Sequence, residues 1–249
     1  MARYFIYLSY DGSNYHGWQI QPNAATVQET LEKALALLMR HPVAITGAGR
    51  TDTGVNATTM VAHVDFHENI DCKQTVYRLN KILPPDIAIH SIKAVIENAH
   101  ARFDALSRRY RYYISTAKNP FNRRYCYRIT GDIDFEAMNR AAATLHEYTD
   151  FTSFSKLHTD TKTNNCKVTS ARWIQSSENE WFFEIEADRF LRNMVRAIVG
   201  TLLLVGRGKI TVDGFREIIT KKQRSEAGDS ALAQALFLEE VKYPENIFL

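Results

Sequence analysis

Long apolar runs are scarce in this chain. The longest, Ala197 to Gly206, is about half of the roughly 20 residues that a membrane-spanning helix needs, and Arg192 and Arg196 precede it closely. Near the N-terminus the apolar stretch Phe5 to Leu8 is broken by Asp11 and Gly12, too soon for the core of a secretion signal. A cytoplasmic protein is expected. Cysteine is sparse as well: Cys72, Cys126 and Cys166 are odd in number, far apart and in no C-x-x-C arrangement. That argues against both a disulfide framework and a structural zinc site. Nor does either charge dominate, since the formal net charge is +3 over 249 residues, which by itself says little about partners.

Several catalytic and cofactor motifs are missing too. Gly47-Ala48-Gly49 is not a dinucleotide fingerprint, because Asp52 stands where the third glycine belongs and a strand rather than a helix is expected to follow. Gly206-Arg207-Gly208-Lys209 is not a P-loop, because Leu203 and Ile210 occupy the positions of its first glycine and its Ser/Thr. There is no H-E-x-x-H and no nucleophile elbow. His63, Asp65 and His67 point to one side of a strand and could in principle hold a metal. They alternate with apolar residues, so an exposed strand face explains them without chemistry.

What is present is unevenly placed. From Arg102 to Arg128 there are eight basic residues (Arg102, Arg108, Arg109, Arg111, Lys118, Arg123, Arg124 and Arg128) against one acid, Asp104. That segment carries +7, and the remainder −4. Seven aromatic residues are interleaved, from Phe103 through Tyr110 to Tyr127, so groups for phosphates and rings for bases occur together. Strand alternation, with one solvated basic face and one buried aromatic face, would produce much of the same pattern.

Periodicity gives the elements. Arg3 to Tyr10 reads as a strand, Thr26 with Glu29 caps a helix carrying Val27, Leu31, Leu35 and Leu38, and Val43 to Ala48 is a short strand. Thr59 to Phe66 is a strand, Lys73 to Leu83 a helix and Ile87 to Ile96 a strand, which completes β-α-β-β-α-β, the ferredoxin-like order. The second half repeats it with insertions: a strand from Arg109, a helix from Asp134 to His146 and a hairpin from Thr169 to Ala187. A helix from Arg189 to Val205, a helix after Thr211 and a strand from Ala235 to Tyr243 follow. The expectation is an α+β protein of two ferredoxin-like halves, 1–104 and 105–249, packed around a central basic cleft.

The loop Gly47 to Val55 has three glycines in eight positions, which implies backbone conformations or close approaches closed to other residues. Arg50 and Asp52 sit two apart in it, where the cation would hold the carboxylate ionised. A merely structural Asp turn is the alternative. On the expected helix from Arg189, the residues Arg189, Arg192 and Arg196 fall within roughly 60° of one another, a basic stripe beside the apolar one. Arginines snorkelling at the surface and arginines binding phosphate or a buried carboxylate would both give it.

Gly47-Ala48-Gly49-Arg50-Thr51-Asp52-Thr53-Gly54-Val55 resembles the signature loop of the tRNA pseudouridine synthase A family. Tyr10-Asp11-Gly12-Ser13-Asn14-Tyr15-His16-Gly17-Trp18-Gln19 is similar to that family's first strand and following loop. Ala101-Arg102-Phe103 with Arg108 to Tyr112, Asp150 to Phe154, and Phe190 with Arg192 to Arg196 match in the same order. The chain departs from the family at Asn56, where His is usual, and at Ala235, where Gly is usual. The resemblance implies isomerisation of uridine to pseudouridine at positions 38, 39 and 40 of tRNA, by a homodimer without a cofactor or metal. It makes Asp52 the catalytic carboxylate, Tyr110 the ring that supports the target base and Arg196 the cation that pairs with Asp52, with Arg50 shaping the loop. Arg102, Arg108, Arg109 and Arg192 are the expected RNA contacts. The reaction is redox neutral and adds no water, which suits a chain without cofactor motifs. A non-catalytic RNA-binding protein on the same scaffold, and a metal-dependent phosphoesterase using Asp52 with His63 and His67, are the alternatives.

Overall fold

The alternation of Arg3 to Tyr10 becomes β1 (Ala2–Tyr10), with Phe5, Ile6 and Leu8 fully buried. The structure is a computed structural model that describes residues 2–156 and 163–249. Helix α1 (Val27–Met39) starts where Thr26 accepts the Glu29 N–H at 3.3 Å and ends at Arg40 in the left-handed conformation. Strands β2 (Ile45–Gly47) and β3 (Asn56–Phe66), helix α2 (Cys72–Ile82) and strand β4 (Ile87–Val95) follow. Asp71 caps α2 by accepting the Gln74 N–H at 3.0 Å, and the helix stops at Leu83, just before Pro84.

These strands lie in the order β4-β1-β3, with β2 also paired to β3, and all pairings are antiparallel. Met60, Ala62, Val64 and Phe66 are buried on one face of β3, as the alternation requires, but Val61 and His63 are buried on the other. Asn80 fastens α2 to β4, its amide bonding both the N–H and the carbonyl of Ile89 at 2.7 and 2.8 Å.

The chain forms two compact units. One holds the residues up to Ser107 together with Leu238–Leu249, and the other is Arg108–Phe237. A linear reading puts the boundary at residue 104 and leaves the tail with the second half. The tail joins the first unit because its bonds are there. The Ile96 N–H donates to the Ile247 carbonyl at 2.9 Å, Leu106 to Lys242 at 2.8 Å, and the Phe5 ring meets those of Tyr243 and Phe248.

In the second unit, β5 (Ser107–Ser115) pairs with β8 (Glu180–Ala187), which pairs with β7 (Val168–Ser177), all antiparallel. The short β6 (Tyr127–Arg128) runs parallel to β5. Helices α3 (Phe135–Ala143), α4 (Met194–Gly206) and α5 (Val212–Lys221) pack together. Asp134 caps α3 and Thr211 caps α5. The last strand, β9 (Leu236–Lys242), carries the chain out of this unit.

One expectation is overturned. The helix expected from Arg189 begins only at Met194, because Asn193 is held in the left-handed conformation (φ 66°) with its amide on the Ser230 hydroxyl at 2.6 Å. Arg189 and Arg192 therefore precede the helix. The three-arginine helical stripe does not form, and of the three only Arg196 is helical.

Candidate active site

The loop that carries Asp52 leaves β2 at Gly47 and enters β3 at Asn56. Its glycines do different things. A Cβ on Gly47 would stand 2.4 Å from the Trp18 indole nitrogen, so glycine there lets the ring lie on the backbone. Gly54 has φ 76° in a turn closed by the Val55 N–H on the Asp52 carbonyl at 3.1 Å. With Thr53 before it at negative φ, this is the pattern of a type II turn, which favours glycine at its third position. Gly49 has open space around it.

The segment Tyr10 to Trp18 is the mould for that loop. The Tyr10 hydroxyl lies 2.9 Å from Thr51 Oγ1, and the Gly54 N–H donates to the Tyr15 carbonyl at 3.3 Å. Gly17, at φ 88°, comes so close that a Cβ would be 2.2 Å from the Thr51 carbonyl oxygen and 3.2 Å from the Asp52 carbonyl carbon. Gly12 packs on the Val55 carbonyl, and its N–H donates to Asn56 Oδ1 at 2.8 Å. Asn56, where the family usually has His, is thus a buried prop of the loop rather than an RNA contact.

The mould is itself anchored. The carbonyls of Gly17 and Trp18 accept the Val27 and Gln28 N–H groups, donors at the start of α1 that no helical carbonyl can reach. The Tyr15 hydroxyl donates to Asp86 at 2.7 Å. Burial, and then that carboxylate, push its pKa up, so it stays a protonated phenol. The sequence offered this segment as a family match. Its role in seating the Asp52 backbone appears only in the fold.

Asp52 is half-buried on this loop; Arg50 beside it is exposed, and the Arg50 side chain makes no ion pair or hydrogen bond among the described residues. The Arg50 side chain goes to solvent rather than onto the Asp52 carboxylate, which is one of the two arrangements that the spacing leaves open. Arg102 also belongs to the first unit, its guanidinium 5.7 Å from the Phe103 ring. Tyr110, Arg108, Arg109, Arg192 and Arg196 belong to the second. Tyr110 is half-buried on β5, edge-on to Phe190 at 5.1 Å.

Arg196 is positioned by a strap that crosses α4. Its Nε donates to the Ala231 carbonyl at 2.7 Å, and its own carbonyl accepts the Ala231 N–H at 3.0 Å. Gly200 permits the crossing, since a Cβ there would stand 1.8 Å from the Asp229 carbonyl oxygen. Arg224 ties down the same strap through the Gly228 carbonyl and Ser230.

The basic stripe of β5 is partly neutralised. Arg111 donates through Nε and Nη2 to Glu184, at 2.9 and 2.8 Å, and Arg172 approaches the same carboxylate at 3.5 Å. Arg109 stands opposite Glu186 in the register, and Arg108 donates to the Asp188 carbonyl at 2.8 Å. A charge count along the chain misses acids that arrive from the neighbouring strand.

His63 is buried rather than on an exposed face. Its Nδ1 accepts the Ala101 N–H at 3.1 Å, and its ring lies edge-on to His100 at 4.5 Å. Burial, then His100 and Arg3, lower its pKa to about 4. Asp65 is held by two 2.7 Å bonds from Arg3, while His67 is exposed. No group of three or more His, Cys, Asp or Glu side chains among the described residues could hold a metal ion, and no helix among them is long and apolar enough to cross a membrane.

Comparison with known proteins bears on this loop and its mould. A profile described as tRNA pseudouridine synthase matches residues 6–104 and 141–244. Proteins named tRNA pseudouridine synthase A are similar over the whole chain. That of Bacteroides thetaiotaomicron is 59% identical, with 100% of this chain and 93% of its own length covered. That of Bacteroides fragilis is 59% identical, with 100% and 99% covered. The Porphyromonas gingivalis protein is 54% identical, with 100% of both chains covered. On these matches, which span both units, the chain belongs to the tRNA pseudouridine synthase family.

Proposed function

We propose that this chain isomerises uridine to pseudouridine at positions 38, 39 and 40 of the anticodon arm of tRNA, with Asp52 as the catalytic carboxylate. In that reaction the bond from the ribose C1′ to uracil N1 breaks, the base turns, and C1′ bonds to C5. The proton leaves C5 and N1 ends protonated, so nothing is oxidised or added. One carboxylate, attacking sugar or base or removing a ribose proton, is the demand on the protein. The observation that carries the reading is the loop: Asp52 is the acid of a turn whose main chain is gripped by Gly17, Tyr15 and Tyr10. A main chain held on that many sides suits a reaction that depends on placement.

Tyr110 and Arg196 are proposed to act on the same nucleotide, the ring supporting a base that has left its stack and the guanidinium answering the carboxylate. Arg50, Arg102, Arg108, Arg109 and Arg192 are proposed as phosphate contacts, Arg50 on the ground that its charge is not spent inside the protein. A ferredoxin-like first half is supported by the strand order β4-β1-β3 with β2 on β3. The same order in the second half, a homodimer and a cytoplasmic location complete the proposal.

The test is conversion of uridine in an unmodified tRNA transcript, in EDTA, mapped by mass spectrometry. The intact protein is expected to convert it. Asp52→Asn is expected to lose at least 1,000-fold in rate, on the order of a missing catalytic group, with tRNA affinity within about threefold. Conversion by Asp52→Asn near the native rate would reject the assignment. Binding without conversion by the intact protein would favour an RNA-binding module.

A further inference from the structure

Beyond the Asp52 loop, the second unit holds a pocket of about 420 Å³, inside the roughly 300–1,000 Å³ range typical of sites for small ligands. We propose that it receives one unpaired nucleotide of the RNA substrate, with Lys118, Arg123 and Arg128 on the successive phosphates around it and the apolar lining against the base. This rests on the tRNA reading above and adds a second place where the RNA is held.

The apolar part of its lining is Cys126, Ala117, Pro120 and Leu232, with Tyr127 beside them. Cys126 is buried, and burial raises its pKa to about 11, so it is an inert wall rather than a nucleophile. Three cations line the pocket and no acid does. Lys118, Arg123 and Arg128 are exposed, and their charged ends make no ion pair or hydrogen bond among the described residues. In that they differ from Arg111, whose charge is met by Glu184.

The loop that shapes the pocket is preformed. Asn119 and Asn122 both donate to Glu180 Oε1, at 3.3 and 2.7 Å, and Asn119 Oδ1 accepts the Phe121 N–H at 3.0 Å. The Ser115 hydroxyl donates to the Ala117 carbonyl at 2.8 Å. The clamp leaves Phe121 turned outward at 93% exposure. Apolar lining, exposed cations and a presented ring are the parts that single-stranded RNA uses: a slot for a base, charges for phosphodiesters and a platform for the next base.

The test is binding of unmodified tRNA, measured by anisotropy from 50 to 300 mM salt. In the triple variant Lys118→Ala/Arg123→Ala/Arg128→Ala the dissociation constant is expected to rise at least fivefold at 150 mM. The slope of log K against log salt should become shallower by about 2, since each phosphate contact contributes about 0.7–0.9. Phe121→Ala should weaken binding without changing the slope. A control triple on α2, Lys73→Ala/Arg78→Ala/Lys81→Ala, removes the same charge, and an equal loss there would overturn the pocket by ascribing the effect to net charge. An unchanged slope in the pocket triple would also overturn it, as would micromolar binding of free uridine monophosphate, which would make the ligand a free nucleotide. Ultraviolet crosslinking of tRNA to the intact protein needs no variant. It should label the peptide containing Phe121 and Tyr127, and labelling confined to other peptides would refute the proposal. The readout is binding, so failure to form pseudouridine would reject the catalytic reading and leave this test standing.

Discussion

Gly17 meets two constraints at once, a φ of 88° and a Thr51 carbonyl oxygen 2.2 Å from where a Cβ would stand. Alanine there would pay for the left-handed backbone and push the main chain of Asp52 aside. Gly17→Ala is therefore expected to cost more than about 2 kcal/mol in urea unfolding. Gly49→Ala, with open space around it, should stay within about 0.5 kcal/mol. Equal losses would show that the mould does not set the loop. His63 gives a pH dependence whose sign follows from its depressed pKa. Between about pH 4 and its ordinary 6.5, the unfolded chain binds a proton that the folded one refuses. Stability should thus be full above pH 6.5 and fall as the pH drops towards 4, by on the order of 3 kcal/mol. His100, lowered by burial, acts in the same direction. Asn at position 63 offers an acceptor near the place of Nδ1 and does not titrate, so His63→Asn should flatten the slope by about one proton in unfolding measured across that window. An unchanged slope would refute the assignment.

At the scale of the element, β5 shows how a strand can look more basic than it is. Glu184 is 6% exposed and serves both Arg111 and Arg172. Glu184→Gln would leave Arg111 half-buried without its carboxylate, and a loss of about 2–3 kcal/mol is expected, below the 3–5 of a fully buried pair because Arg111 keeps some solvent. Arg172→Ala, whose side chain is 64% exposed, should cost under about 1 kcal/mol. Comparable losses in thermal unfolding would count against that ranking. The helix caps at Thr26 and Thr211 were legible because their partners lie three residues away, and the caps at Asp71 and Asp134 have the same local form. The start of α4 was not. Asn193 takes the left-handed conformation with Ser230 as its partner, 37 residues on, and no period of 3.6 reports that.

For the molecule as a whole, the last segment is the test. Leu238, Val241 and Ile247 are buried in the first unit, and the Tyr243 hydroxyl donates to the Ala101 carbonyl. Ending the chain at Phe237 should open the first unit, seen as rapid proteolysis between residues 2 and 107 and loss of uridine conversion. A truncated chain as resistant as the full one would show the tail to be dispensable. The sequence by itself determined the type and order of the main elements, the hairpin from Thr169 to Ala187, the Asp52 loop and the family, because caps, periods and motifs are written within a dozen residues. Only the tertiary structure decided that Gly17 seats Asp52, that Glu184 quiets Arg111, that His63 is buried and that the tail returns to the first unit. Each depends on groups far apart in the chain, whose burial and pairing exist only once the backbone has folded to bring them into contact.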